Sequence, residues 1–233
     1  MVTLVEMYPE ALGTYGDGGN VRVLHRRLQW RGIASRIVQV HVGEPLPTDA
    51  SIVVLGGGED LAQSQIAGRM RSVLEGPAND GSVILAVCAG MQLLGHSFET
   101  AGRSAAAGAG LLDITTTRQP RRAVGEVRAR CPELSDPMLS GFTNHGGGTT
   151  LGAQARPLAR VLHGPANRPR GKLEGAVQGR IFGTYLHGPV LARNPAFADH
   201  LLELAIGEAL EPLPDLEVAW LRRDRLRRGR WRT

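Results

Sequence analysis

Cys88 closes the apolar run Ser82-Val-Ile-Leu-Ala-Val87, and a helical pattern, Ala89-Gly-Met-Gln-Leu-Leu94, begins directly after it. A buried-type strand that ends at a nucleophilic side chain and turns at once into a helix has the layout of a nucleophile elbow. The turn would hold the sulfur at the carboxyl edge of a sheet, where open α/β sheets bind their ligands. The positive N-terminus of the following helix favours thiolate over thiol, the form that attacks a carbonyl carbon. Gly56-Gly57-Gly58 ends a neighbouring apolar run, so backbone amides there can approach a substrate with no side chain in the way. One of them, with the amide of Ala89, could hold a developing oxyanion. His187, in Phe182-Gly-Thr-Tyr-Leu-His187-Gly-Pro189, falls at the end of a late strand. A histidine beside the sulfur could take its proton and return it to a leaving amine. The plainer readings are a small buried cysteine in a tight turn and a satisfied structural histidine. Together the two residues suit acyl transfer through a thioester.

Such a set needs an α/β scaffold to position it, and the chain supplies the pattern. Thr3–Tyr8, Ser35–Val42, Ser51–Leu55 and Ser82–Val87 read as strands. The last two are apolar at nearly every position, as parallel strands covered on both faces are. A helix should follow the glycine-rich turn Gly13–Asn20, with Val21, Leu24, Leu28 and Trp30 on its apolar face, Asn20 as cap and Gly32 as stop. Further helical patterns lie near Ile66–Leu74 and Met91–Phe98. This rhythm predicts a three-layer, open, mostly parallel sheet with helices on both faces. From Thr115 to Tyr185, short strand-like segments (Val124–Val127, Val161–His163, Gly175–Gln178, Ile181–Tyr185) alternate with turns. They are expected as antiparallel additions to the same sheet. Pro195–Ile206 reads as a helix with Asn194 as cap. One domain over residues 1–212 and an Arg-rich tail over 213–233 is the economical division.

Composition narrows the function classes. The 233 residues are 42% hydrophobic, enough for a core, but only 4% aromatic, which argues against an aromatic platform for nucleic acid. No apolar run approaches the roughly 20 residues that span a bilayer, and the N-terminus lacks a signal-peptide pattern. The expectation is a soluble, cytoplasmic protein. Two cysteines, Cys88 and Cys131, cannot build a disulfide framework or a cysteine-rich zinc site, and no metal site is expected. Cys131 reads as a bystander. The net charge of +5 is misleading, because Arg222–Thr233 alone carries +6 and leaves the other 221 residues at −1. Such a tail could touch RNA, acidic headgroups or an acidic partner, though a solvated terminal segment is the ordinary reading. A nucleic-acid-binding module built on this tail and a stand-alone cysteine hydrolase are the competing function classes.

Gly56-Gly57-Gly58, Val87-Cys88-Ala-Gly-Met-Gln92 and Gly183-Thr-Tyr-Leu-His187-Gly-Pro189 resemble the triad-type class I glutamine amidotransferases, and most nearly their cobyric-acid-synthase-like branch. Tyr8-Pro9, Tyr15-Gly-Asp-Gly-Gly-Asn20, Gly141-Phe-Thr-Asn-His-Gly-Gly-Gly-Thr-Thr-Leu-Gly152 and Thr184–Pro195 narrow the likeness. Over residues 3–206 the series is similar to the GatD-type glutaminase subunits of lipid II isoglutaminyl synthases. The resemblance implies a two-part enzyme. This chain would hydrolyse L-glutamine to glutamate and ammonia. A MurT-type, Mur-ligase-like synthetase subunit would be its heterodimer partner, using ATP and magnesium to amidate D-isoglutamate of lipid II. A cobyric-acid-type synthetase is the alternative partner. No cofactor is expected on this chain, which has no Gly-x-x-x-x-Gly-Lys-Ser/Thr loop for ATP, and no specific nucleic acid. Peripheral contact with the lipid-linked substrate would need no membrane span.

The resemblance also implies roles by residue. Cys88 would be the nucleophile and His187 the base and then the acid. Gly58, or else Gly57, would donate to the oxyanion with Ala89. Gln92, Asn144 and Gly146 would hold the substrate glutamine, and Arg122 would pair with its carboxylate through a planar guanidinium. Two positions depart from the broader class. Ala86 stands where glycine is usual, and Pro189 stands where a glutamate usually follows the histidine. His187 therefore lacks its usual orienting carboxylate. A carboxylate of the partner, or a local one such as Asp17, would complete the site on assembly.

Overall fold

The structure, a computed structural model, describes residues 1–100 and 104–228 of the chain. Its first half comprises β1 (Val2–Met7), α1 (Pro9–Leu12), α2 (Gly19–Trp30), β2 (Ser35–Val40), β3 (Ala50–Leu55), α3 (Asp60–Asn79), β4 (Val83–Val87) and α4 (Ala89–Leu94). Then come β5 (Ser97–Phe98), β6 (Ala106–Ala107), β7 (Ile114–Arg130), β8 (Met138–Leu151), β9 (Ala159–His163) and β10 (Leu173–Glu174). β11 (Ala176–Gln178), β12 (Ile181–Thr184), α5 (Val190–Arg193), α6 (Pro195–Ile206) and α7 (Leu216–Arg228) complete it.

The apolar runs pair as the sequence predicts. The main sheet has the order β11-β12-β4-β3-β1-β2, parallel throughout except for the antiparallel edge strand β11. All of β4 and the last four residues of β3 are buried, which requires cover on both faces. α2, α5 and α6 pack as one group against the sheet, and α1, α3 and α4 as another. At the edge, β2 exposes Arg36, Ile37 and Gln39.

The middle of the chain departs from expectation. β7 and β8 form a long antiparallel ribbon, and with β5, β6, β9 and β10 they build a second sheet instead of extending the first. The reason lies in the pattern: β7 mixes exposed and buried positions along its length, which suits a ribbon with one solvated face. The edge of β4 is meanwhile taken by β12. β8 carries Gly141, Gly146, Gly147 and Gly148, a composition that reads as turn, yet β7 supplies its hydrogen-bond partners over nearly its whole length.

Smaller differences are local. α3 is longer than expected, and α4 stops at Leu94 because Ser97–Phe98 pairs with β6 and β7. Asn20 lies inside α2 instead of capping it, and its Oδ1 accepts from the Leu191 amide at 3.0 Å. Asn194 occupies the cap position of α6, but its side chain bonds both the amide and the carbonyl of Ser140. Trp30 is exposed beneath Arg26. The start of the Arg-rich segment is the helix α7, docked through Arg222, which bonds Asp136 at 2.7 Å and Asn194 at 2.9 Å. Among the described residues, no helix is long and apolar enough to cross a membrane.

Candidate active site

Strand register brings the predicted residues to one sheet edge. Leu55 pairs with Ala86, and Thr184 with Val87, so Gly56–Gly58, Cys88 and His187 leave three adjacent parallel strands side by side. Cys88 sits at φ +52° and ψ −106°, a region that strains a non-glycine residue by about 1–3 kcal/mol. Its amide bonds the Thr184 carbonyl at 2.8 Å, and the Gly90 amide bonds the Gly56 carbonyl at 3.2 Å. These ties fix the elbow that the sequence pattern suggested. Ala86 is fully buried and stays in register in β4, paired with Leu55 and Gly183.

His187 receives its carboxylate from within the chain. Asp17, in the glycine-rich turn before α2, is fully buried and lies 3.1 and 3.3 Å from His187 Nδ1. Nδ1 therefore donates to Asp17, which leaves Nε2, buried and without a nitrogen or oxygen partner among the described residues, to the sulfur. Burial opposes charge on the ring, but the Asp17 carboxylate and the Cys88 sulfur outweigh it and raise His187 to about 9. A histidine beside the sulfur is placed to exchange a proton with it. The ring of Tyr15 covers the histidine at a centroid distance of 4.7 Å.

Asp17 also engages one of the two glycines: the Gly57 amide donates to its carboxylate at 2.8 Å, whereas Gly58 lines the cleft beside Cys88. Gly57 matters for another reason: a Cβ there would stand 2.9 Å from His187 Cε1. Only glycine lets the histidine sit this close.

Cys88 opens into a cleft of about 190 Å³, lined also by Gly58, Ala89, Gln92, Arg122, Asn144 and Gly146. Pockets for drug-sized ligands run roughly 300–1,000 Å³, so this one suits a smaller molecule. The second sheet forms its far wall. Phe142 of β8 exchanges backbone hydrogen bonds with His187 at 2.8 and 3.1 Å, which locks the ribbon over the sheet edge. Opposite Gly146, β7 bulges between Arg118 and Ala123, and the bulge carries Arg122. Its guanidinium bonds Asn144 Oδ1 at 2.9 Å and the Asn144 carbonyl at 3.0 Å, and it remains exposed for an anionic ligand. Gln92 donates to the Tyr185 hydroxyl at 3.0 Å and accepts from Gln63 at 3.0 Å, so its amide shapes the wall.

His145 and Tyr185 belong to the site but were not singled out as such from the sequence, whereas Gln63, which after the glycine turn could have shaped either the pocket or a partner surface, lines the cleft. His145 lies within the quoted Asn-His-Gly segment, and its type alone was the available signal. Its ring stacks on Tyr185 at 3.6 Å, and burial first, then the charge of Arg122, lowers it to about 4. Cys131 is buried outside the cleft, where burial raises its thiol and leaves it inert. Among the described residues, no group of three or more His, Cys, Asp or Glu side chains could hold a metal ion.

Over residues 3–195 the sequence matches the CobB/CobQ-like glutamine amidotransferase domain. It is 32% identical to the lipid II isoglutaminyl synthase (glutamine-hydrolyzing) subunit GatD of Streptococcus pneumoniae, over 88% of this chain and 80% of that one. Against GatD of Staphylococcus aureus it is 31% identical over 93% and 89% of the two chains. In fold it is similar to a chain of PurLQS from Thermotoga maritima, with a TM-score of 0.61 and 14% identity, covering 88% of this chain and 98% of that one. The chain belongs to the CobB/CobQ-like glutamine amidotransferase family.

Proposed function

We propose that this chain is the glutaminase subunit of a lipid II isoglutaminyl synthase. The observation that carries the reading is the strained Cys88 beside a His187 anchored by Asp17, at the mouth of a cleft sized for one amino acid. Similarity to GatD subunits along nearly the whole chain supports the choice of pathway. The Cys88 thiolate attacks the side-chain carbonyl carbon of L-glutamine, and the amides of Gly58 and Ala89 take the charge that develops on oxygen. His187 protonates the departing ammonia, which leaves a glutamyl thioester. The neutral imidazole then takes a proton from water, the hydroxide attacks the thioester, and glutamate leaves with the thiolate restored. Arg122 holds the α-carboxylate through paired hydrogen bonds, with Asn144 and Gly146 beside it.

The ammonia serves a Mur-ligase-like, MurT-type synthetase subunit, and ATP and magnesium belong to that partner. The reaction takes place in the cytoplasm, and the basic helix α7 is available for contact with the membrane that carries the substrate. Because Asp17 is in the same chain, the isolated subunit should release ammonia and glutamate from L-glutamine. Cys88→Ala and His187→Ala should abolish release while leaving the fold intact. Addition of the synthetase, ATP and lipid II should give amidated product. No release by the wild-type chain, alone or with its partner, would overturn the reading.

A further inference from the structure

Elsewhere on the body of the chain, arginines meet carboxylates: Arg27, Arg36, Arg156 and Arg193 do so at 2.5–2.9 Å. One group of arginines does not. A cavity of about 350 Å³ next to the cleft is lined by Arg121, Arg122, Arg168 and Arg170, and no acidic residue lines it. Among the described residues none of the four pairs with a carboxylate; Arg122 bonds Asn144, and Arg168 bonds the Thr150 hydroxyl at 3.0 Å. Arg121, Arg168 and Arg170 are exposed, and none of these three lines the cleft that holds Cys88.

Two separate segments bring these cations together. Arg121 and Arg122 sit on the β7 bulge. Arg168 and Arg170 sit on the loop between β9 and β10, which the buried Asn167 anchors. Its side chain bonds the amide and the carbonyl of Gly175 at 2.8 and 2.9 Å, and its carbonyl accepts from the Thr149 amide at 2.9 Å. The Gly171 amide then closes a turn onto the Arg168 carbonyl at 3.0 Å, with Pro169 second and Arg170 third. The third position of such a turn favours glycine or asparagine, yet Arg170 holds it at φ +60°. Both choices cost stability, since like charges repel and a bulky residue strains at positive φ. An anion held among the arginines offsets the repulsion and gives the strained arginine a use. Guanidinium forks match phosphate oxygens, and two phosphate groups carry about −3 to −4 at neutral pH against four guanidiniums.

We propose that this cavity binds the diphosphate group of an anionic ligand through Arg121, Arg168 and Arg170, with Arg122 shared between the cavity and the cleft. Binding there does not depend on the glutaminase chemistry and is measured without it.

Calorimetric titration of the full chain with sodium pyrophosphate, at constant ionic strength, reads the site directly. Wild-type protein should bind. Arg168→Ala should weaken binding by about 10- to 100-fold, as expected for loss of a bond between charged groups. Arg168→Lys keeps the charge without the fork and should recover part of the loss. Arg170→Gly should weaken binding likewise while the thermal midpoint holds or rises, because glycine suits the turn. Loss of an exposed arginine elsewhere, as in Arg223→Ala on α7, should leave binding unchanged. Flotation with phosphatidylcholine vesicles, plain or carrying geranylgeranyl diphosphate, separates the two sources of the group. Diphosphate-dependent flotation that Arg168→Ala abolishes supports a lipid-linked ligand; pyrophosphate binding without flotation supports a soluble one. No binding in either assay, or equal affinity in the wild type, Arg168→Ala and Arg170→Gly, would overturn the proposal.

Discussion

Asp17 determines what Cys88 and His187 can do together. Its carboxylate holds the Nδ1 side of the ring and stabilises the imidazolium, the state that in the proposed mechanism donates a proton to departing ammonia. Replacement by asparagine keeps the shape and removes the charge. Asp17→Asn should lower kcat by about 10²- to 10⁴-fold, the range in which acid–base groups and their orienting carboxylates act. The pH profile adds a signed prediction. Acylation needs the imidazolium, so wild-type activity should fall as pH rises through about 9, and loss of the carboxylate should move that fall to lower pH. An unmoved alkaline limb in a kcat–pH series would count against this coupling. Cys88 and His187 were readable from residue type and position at strand ends. Asp17 was one of two candidate sources, because 170 residues separate it from His187 and only the folded chain joins them. The commitment of the Gly57 amide to Asp17 was hidden for the same reason.

At the level of elements, the two sheets meet beneath the site through Glu174 of β10. Its carboxyl group is buried and accepts from the Thr184 hydroxyl and, at 3.2 Å, from the Tyr185 amide at the end of β12. Burial dominates over these bonds and raises Glu174 from 4.5 to about 7. Between those values the unfolded chain has released its proton while the folded chain keeps it, so rising pH favours unfolding. This contribution is full below about 4.5 and gone above about 7. Thermal unfolding of Glu174→Gln should lack that slope, and an unchanged slope would contradict the assignment. Parallel strands covered on both faces were readable because their residues are apolar at almost every position. β8 was not, since four glycines and its Thr and Asn residues carry no apolar alternation, and its strand character comes from pairing with β7. The β7 bulge that presents Arg122 was likewise out of reach, because bulges arise from register and leave little trace in residue type.

Across the whole molecule, charge that the sequence leaves as a basic excess is partly used to close the fold. Arg27 bridges Asp199 of α6 and Asp215 ahead of α7 at 2.6 and 2.8 Å, and Arg222 reaches back to Asp136 before β8. These contacts hold α7 on the body, with none of its residues in the lining of the cleft, while Leu216, Trp220 and Leu221 stay exposed. Arg222→Ala should release the helix: amide hydrogen exchange over 216–228 should accelerate while glutaminase activity persists. Loss of activity in that variant would mean that α7 supports the site. Composition revealed the charge but not its ion pairs, which join positions distant in sequence.

The central claim is that Cys88 is the nucleophile of a glutamine-sized cleft and that Asp17 sustains it. Its most direct test is intact-mass and peptide mapping after treatment with a diazoketone shaped like glutamine. The account predicts a single adduct on Cys88, prevented by excess L-glutamine, absent in Cys88→Ala and slow to form in Asp17→Asn. Modification of Cys131, or an unmodified Cys88 in a folded wild-type chain, would contradict it.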